Sequence, residues 1–297
     1  MKTKYLFIML IFLAACSGRE KLSDAYGNFE AVEKVVAAQA NGQILWLKIE
    51  EGDRLDSGAV VGLIDTTDLH LKKQQLLSRK KAAAAGIESV KAQMAVQEQQ
   101  KENLLVDRNR LEKLFEEGAA TQKQMDDVKG AVKLAKKQID ATRSKLNAIY
   151  DEVAAIESQI EQVEENIRKC HIRNTTDGSV LTKIAESGEV TAFGRPLYRI
   201  AGLDPLILKA YVSGAQLPDV KPGQKVEVLV DKNAEENQSF EGTVSWISDQ
   251  AEFTPKIIQT KEERVKLVYA VKVLVPNDGS LKIGMPGEVN FTEGNEK

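Results

Sequence analysis

Residues 125–167 read MDDVKGAVKLAKKQIDATRSKLNAIYDEVAAIESQIEQVEENI, and the spacing of their apolar side chains decides the fold. Met125, Val128, Val132, Ala135, Ile139, Thr142, Leu146, Ile149, Val153, Ile156, Ile160, Val163 and Ile167 recur with alternating gaps of three and four. Twelve of these thirteen positions are apolar, against about five expected by chance from a chain that is 42% hydrophobic. A seam kept over about six heptads predicts a coiled-coil helix.

Upstream, Leu76, Ala83, Ile87, Val90, Met94, Leu104, Leu111 and Phe115 fall on one heptad frame, interrupted by Lys80, Gln97, Lys101 and Arg108. A seam this polar predicts a two-helix contact with one side open to water or to a neighbouring subunit. Between the two segments lies Glu116-Glu117-Gly118-Ala119-Ala120-Thr121. Gly118 is suited to the left-handed conformation that ends a helix, and Thr121 with Gln124 has capping-box spacing. The expectation is an antiparallel hairpin over 68–170, turning near 117–121. With about 48 residues in each arm, it extends roughly 70 Å.

Outside the hairpin the period changes. Ile44, Trp46 or Leu45, Leu47 and Ile49 alternate between Gly42, Gly52 and Gly58, which suits a small β-sandwich. After the hairpin the pattern returns through Gly178, Val180, Gly188, Val190, Gly194 and Ile200, as an internal repeat split by an insertion would do. From Leu203 onward, β-runs at 206–212, 225–230, 242–247, 265–275 and 287–291 are separated by Pro222-Gly223, Asn277-Asp278-Gly279 and Met285-Pro286-Gly287. These are the turn signals of a β-barrel. Only 5% of residues are aromatic, which favours elongated packing over one large globular core.

At the start of the chain, Lys2 and Lys4 precede a short apolar run, Tyr5 to Leu13, as in a signal peptide. Leu13-Ala14-Ala15-Cys16 looks like a bacterial lipobox, which implies cleavage before a lipidated Cys16. Loss of Lys2 and Lys4 takes the formal charge from −3 to −5, and no basic stripe interleaves with aromatics, so nucleic acid is not an expected partner. After lipidation only Cys170 is left, so internal disulfides are excluded.

The split halves resemble the two halves of a lipoyl or biotinyl domain. Such a domain interrupted by a coiled-coil hairpin resembles the HlyD-type membrane fusion proteins, the periplasmic adaptors of efflux and secretion systems. One departure is Asn174-Thr175-Thr176-Asp177-Gly178, where the family commonly has Pro before the acidic-Gly turn. Phe253-Thr254-Pro255-Lys256 and Gln259-Thr260-Lys261-Glu262-Glu263-Arg264 look like adaptors that serve ABC exporters. The resemblance implies an α+β, elongated chain. Its parts are a signal peptide (1–15), an anchor linker with the first strand (16–29), a split lipoyl-like domain (30–67 and 171–201), the hairpin (68–170) and a barrel (202–293).

The same resemblance implies a non-enzymatic adaptor without cofactor, lipid-anchored in the periplasm, more readily at the inner membrane. It would join an inner-membrane transporter, of ABC type, to a TolC-type outer-membrane channel. Copies would assemble as a homo-oligomer, commonly a hexamer. Arg110, Leu114 and Thr121 match the family's Arg, Leu and Ser tip signature for docking on the channel, with Thr in place of Ser. The alternative is a structural or polysaccharide-export lipoprotein that uses the coiled coil as a spacer. A lipoate or biotin carrier fits poorly, because its modified Lys must sit on a tight turn that the hairpin occupies here. His70, Cys170 and His171 stand at the feet of the hairpin without the spacing of a metal site, so no metal is expected. Neither Gly-x-Ser-x-Gly, a P-loop nor His-Glu-x-x-His occurs.

Overall fold

The structure, a computed structural model, describes residues 23–233, 236–253 and 267–291. The signal peptide, Cys16 and most of the 253–264 stretch lie outside the described residues. Helix α1 (Thr67–Glu116) and helix α2 (Gln122–Cys170) form the antiparallel hairpin. At 50 and 49 residues, each rises about 75 Å. All thirteen seam positions of α2 are buried or half-buried, so the heptad spacing does mark the contact face.

The α1 side of the seam is mixed. Leu76 is buried against Ile156, Ile160 and Val163, while Lys80, Gln97, Lys101 and Arg108 keep their places on the frame half-buried. Near the feet the lysines are answered across the seam, Lys73 by Glu164 at 2.8 Å and Lys80 by Glu157 at 2.6 Å. Their stems cover apolar surface while the ammonium groups reach the rim. Such partly exposed pairs add at most about 1 kcal/mol each, so packing by α2 holds the arms together.

The feet stand on a sandwich of two four-stranded sheets. Its strands are β2 (Glu33–Ala37), β3 (Gly42–Leu47), β4 (Arg54–Leu55) and β5 (Val60–Ile64) before the hairpin, and β6 (His171–Arg173), β7 (Gly178–Lys183), β8 (Val190–Thr191) and β9 (Pro196–Ala201) after it. The sheet orders are β2-β9-β7-β4 and β6-β5-β3-β8. Exchanging the halves, β2 for β6, β3 for β7, β4 for β8 and β5 for β9, turns one order into the other. The sequence repeat is therefore a two-fold symmetry of the fold. Turn glycines obey it: φ is 95° at Gly52 and 92° at Gly188, 84° at Gly58 and 83° at Gly194. One core, with Ile44, Ile64, Val180, Tyr198 and Ile200 fully buried, is shared by both sheets.

Asn174, where Pro is common in the resembling family, ties the halves together. It is buried; its Nδ2 donates to the carbonyls of Asp56 and Thr176, and its Oδ1 accepts from the Tyr198 hydroxyl. Its backbone N–H and carbonyl pair with Ala59 and Gly58. An asparagine supplies three such bonds, whereas proline would lose the N–H and the side-chain donors.

The third body is a closed six-stranded barrel, in the order β1-β10-β13-β12-β11-β14. It uses β10 (Leu206–Ser213), β11 (Lys225–Asp231), β12 (Asn237–Phe253), β13 (Leu267–Val275) and β14 (Pro286–Asn290). The sixth strand is β1 (Ala25–Glu30), from the other end of the chain, which closes the barrel between β10 and β14. A Cβ at Gly27 would lie 2.0 Å from the Lys209 carbonyl oxygen, so this strand seats only with glycine there. The chain passes from β1 into β2 through two residues, Ala31 and Val32. Residue 23 thus lies at the end of the barrel away from the sandwich.

Two outcomes follow. Ile156→Ala leaves a cavity at the base of the seam and costs about 3 kcal/mol, measurable as loss of the 222 nm helical signal at lower denaturant, with the β signal of the barrel retained. Burial pushes the Tyr198 phenol from 10.0 up to about 12. The folded state favours the neutral phenol, so its contribution is complete below pH ~10 and falls away between pH ~10 and ~12. Phenolate absorbance should show one tyrosine ionising near 12, and that late step should vanish in Tyr198→Phe.

Candidate functional site

The tip is built by two helix ends that stop and start for identifiable reasons. Gly118 has φ 74°, and beyond it the Ala119 N–H bonds the Leu114 carbonyl at 2.7 Å and the Gly118 N–H bonds the Phe115 carbonyl at 3.1 Å. This is a Schellman end, which occupies the carbonyls α1 would otherwise leave unpaired. Helix α2 opens on the capping box expected from the sequence. The Thr121 Oγ1 accepts from the Gln124 N–H at 3.3 Å, and Gln124 Oε1 accepts from the Thr121 N–H at 2.8 Å.

The three residues expected at the tip are placed differently by this geometry. Arg110 is exposed, and its one ion pair among the described residues is a loose one with Asp107 at 3.8 Å on the same exposed face, so its guanidinium remains available to a partner. Leu114 is 39% exposed, too much for a packed seam residue. Thr121 is exposed, but its hydroxyl is already engaged, accepting in the cap and donating to Gln124 Oε1 at 3.0 Å. Its first role is therefore structural, with one acceptor lone pair to spare.

Phe115 was expected in the seam. It is 38% exposed instead, at the end of the seam where α2 only begins, at Gln122. The tip thus presents Leu114 and Phe115 as an apolar pair beside Arg110. The heptad frame masked this second apolar residue, and only its place in the last turn before Gly118 hints at exposure.

At the feet, Asp65 starts α1 by accepting from the Thr67 N–H at 2.9 Å and its hydroxyl at 2.6 Å, bonds that hold the carboxyl below the usual carboxylate range. Cys170 is buried, and its thiol donates to the Asn166 carbonyl; burial pushes it up, so it stays a protonated thiol. His171 Nδ1 lies 3.0 Å from the Ile167 carbonyl. These contacts belong to a helix end, and no group of three metal-ligating side chains occurs among the described residues. No helix among them is long and apolar enough to cross a membrane.

Thr121→Ala removes the cap and should cost about 1 kcal/mol, read as faster amide exchange confined to residues near 118–128. Thr121→Ser should exchange like the parent.

No protein-family model matches the chain. A UPF0194 membrane protein of Yersinia enterocolitica is 24% identical over 302 residues, covering 90% of this chain and 89% of its own. Among solved structures, MacA from Actinobacillus actinomycetemcomitans superposes with a TM-score of 0.56 at 20% identity, over 90% of this chain and 78% of that one. The membrane fusion protein Spr0693 from Streptococcus pneumoniae R6 gives 0.52 at 16%, over 89% and 96%. At such identities the likeness is one of architecture, and the fold of this chain is that of a membrane fusion protein.

Proposed function

We propose that the chain is a non-catalytic periplasmic adaptor that links an inner-membrane exporter of ABC type to a TolC-type outer-membrane channel. The sandwich is read as the split lipoyl-like domain of such adaptors, an interpretation supported by its two-fold strand order and by the hairpin leaving between its halves. The observation that carries the functional reading is the tip. A hairpin about 75 Å long ends in an exposed Arg110 beside the apolar pair Leu114 and Phe115. An arginine fork next to exposed apolar surface suits a protein partner that offers carbonyls or carboxylates around a shallow apolar seat.

The other end suits attachment to a membrane. Cys16, the proposed lipidation site, precedes Ser23 by seven residues. Fully extended, that tether spans at most about 25 Å. Ser23 is held to the barrel, its hydroxyl donating to Glu288 at 2.5 Å. A lipid at Cys16 therefore keeps the barrel near the membrane surface and directs the hairpin away from it. Copies would assemble around the export path, six by family resemblance, with energy supplied by the transporter.

Arg110→Asp should reduce recovery of the outer-membrane channel with the affinity-tagged full-length chain at least about tenfold, the effect of losing one buried charge-assisted contact at an interface. Helix content by circular dichroism should be unchanged. Equal recovery would overturn tip docking, and a stable assembly that brings down neither channel nor transporter would favour the spacer reading instead.

A further inference from the structure

The outer wall of the barrel carries a row of side chains that the adaptor reading leaves unused. Strand registers set Leu229 opposite Glu288, Glu288 opposite Tyr26, and Tyr26 opposite Tyr211, so the four lie side by side across β11, β14, β1 and β10. Burial alternates along these strands, with Val228, Val289, Ala25 and Val212 turned into the core, which leaves the row on the outside. Directly opposed side chains in such a ladder stand about 5 Å apart at Cβ. Glu288 is thereby held between an aromatic ring and an aliphatic side chain, with a second ring beyond.

The row lines a cavity of about 630 Å³, bounded also by Pro286, one row toward the sandwich, and by Asp231 at the end of β11. That volume falls within the range of small-molecule sites. Glu288 takes a hydrogen bond from Ser23, but neither it nor Asp231 has an ion-pair partner among the described residues. The neighbouring cations are already matched. Lys209 lies 5.4 Å from the centre of the Tyr211 ring and pairs with Glu252 at 3.3 Å, and Lys232 pairs with Glu236 at 3.1 Å. The groove therefore keeps two uncompensated carboxylates beside two tyrosine rings, one of which, Tyr26, is 49% exposed.

An anion would meet two like charges there. A hard metal ion would gain nothing from the tyrosine faces, Leu229 and Pro286, and an uncharged apolar ligand would leave Glu288 part-desolvated without a counter-charge. An organic ammonium ion answers both needs, its charge set against the carboxylates and its alkyl groups against the electron-rich ring faces. We propose that this groove binds an organic ammonium ion, with Glu288 and Asp231 as counter-charges and Tyr26 and Tyr211 as its aromatic walls. Such a group arrives in solution or on the headgroup of a lipid. Tyr26 is three residues from Ser23, about 10 Å of strand, so the second route rests on the membrane attachment proposed above and the first does not.

The full-length chain in a neutral detergent, titrated with choline and in parallel with neohexanol, its uncharged carbon isostere, tests the site by saturation transfer to the ligand methyl protons. Choline is expected to bind at least about fivefold more tightly than neohexanol. Glu288→Gln, which keeps an acceptor for Ser23, should weaken choline about fivefold and leave neohexanol unchanged, and Tyr26→Leu should weaken choline about threefold. Asp231→Asn repeats the charge test without touching the Ser23 bond and should cost about twofold. Glu30→Gln, two rows along β1 and paired with Lys272, should bind as the parent does. Equal binding of choline and neohexanol, or an unchanged choline affinity in both Glu288→Gln and Asp231→Asn, would overturn the proposal. Reconstitution separates the two sources. Choline binding that is lost in phosphatidylcholine vesicles and kept in phosphatidylglycerol vesicles assigns the site to a lipid headgroup, and binding kept in both assigns it to a soluble ammonium ion. Loss in both would show the groove closed to ammonium at a membrane and would overturn the proposal. None of these outcomes bears on channel recovery by Arg110→Asp, so the groove and the tip stand or fall separately.

Discussion

The seam between the two long helices is one-sided, and much of the structure answers to that asymmetry. Helix α2 supplies an almost unbroken apolar row, whereas α1 sets lysines, a glutamine and an arginine among its own seam residues. Near the feet the deficit is covered by the buried group of Leu76, Ile156, Ile160 and Val163 and by lysines that reach glutamates on α2. Farther out the bracing thins: Gln97 Oε1 is buried without a hydrogen-bond partner among the described residues, and Lys101 and Arg108 stay half-buried. An arm of this length is stiff at its root, capped at its tip and least cross-braced between them. That distribution suits a rod whose outer part gains further packing from neighbours.

The sandwich explains how so long an insertion is tolerated. Strands β5 and β6 are antiparallel neighbours, with Leu63 opposite His171, so the chain leaves and re-enters at adjacent positions. A tight turn would join them as well, and a pair of antiparallel helices meets the same end-to-end requirement at little cost in loop-closure entropy. The two-fold relation between the halves keeps both sheets anchored by strands from before and after the hairpin. Pulling on the hairpin therefore loads the whole core rather than one edge.

Much of this was legible in the residues. The gap pattern from Met125 to Ile167 gave the α2 face, Gly118 and the Thr121–Gln124 spacing gave the turn, and the repeated glycines gave the split domain; all three are local signals with a fixed geometric meaning. What stayed hidden depends on distant chain segments. The resemblance implies a first strand within 16–29 but not its place in the barrel, and the glycine of Tyr26-Gly27-Asn28 makes sense only against Lys209 on β10. Asn174 reads as a turn residue until its bonds to Asp56 and Tyr198 are seen. Phe115 fits the seam frame by spacing, yet at the end of the seam, where α2 begins, it stays part-exposed. Of the candidate tip, the positions of Arg110 and Leu114 were readable, but the engagement of the Thr121 hydroxyl in its own cap was not.

The central claim is that the hairpin tip is a docking surface for an outer-membrane channel. Photo-crosslinking in living cells tests it most directly, with a benzophenone side chain in place of Leu114 and, as a control, in place of Tyr150 at mid-hairpin, which is 45% exposed. The account predicts an adduct with one outer-membrane channel protein from position 114 and none with that protein from position 150. Adducts from position 114 that lack an outer-membrane protein, or equal adducts from both positions, would contradict it.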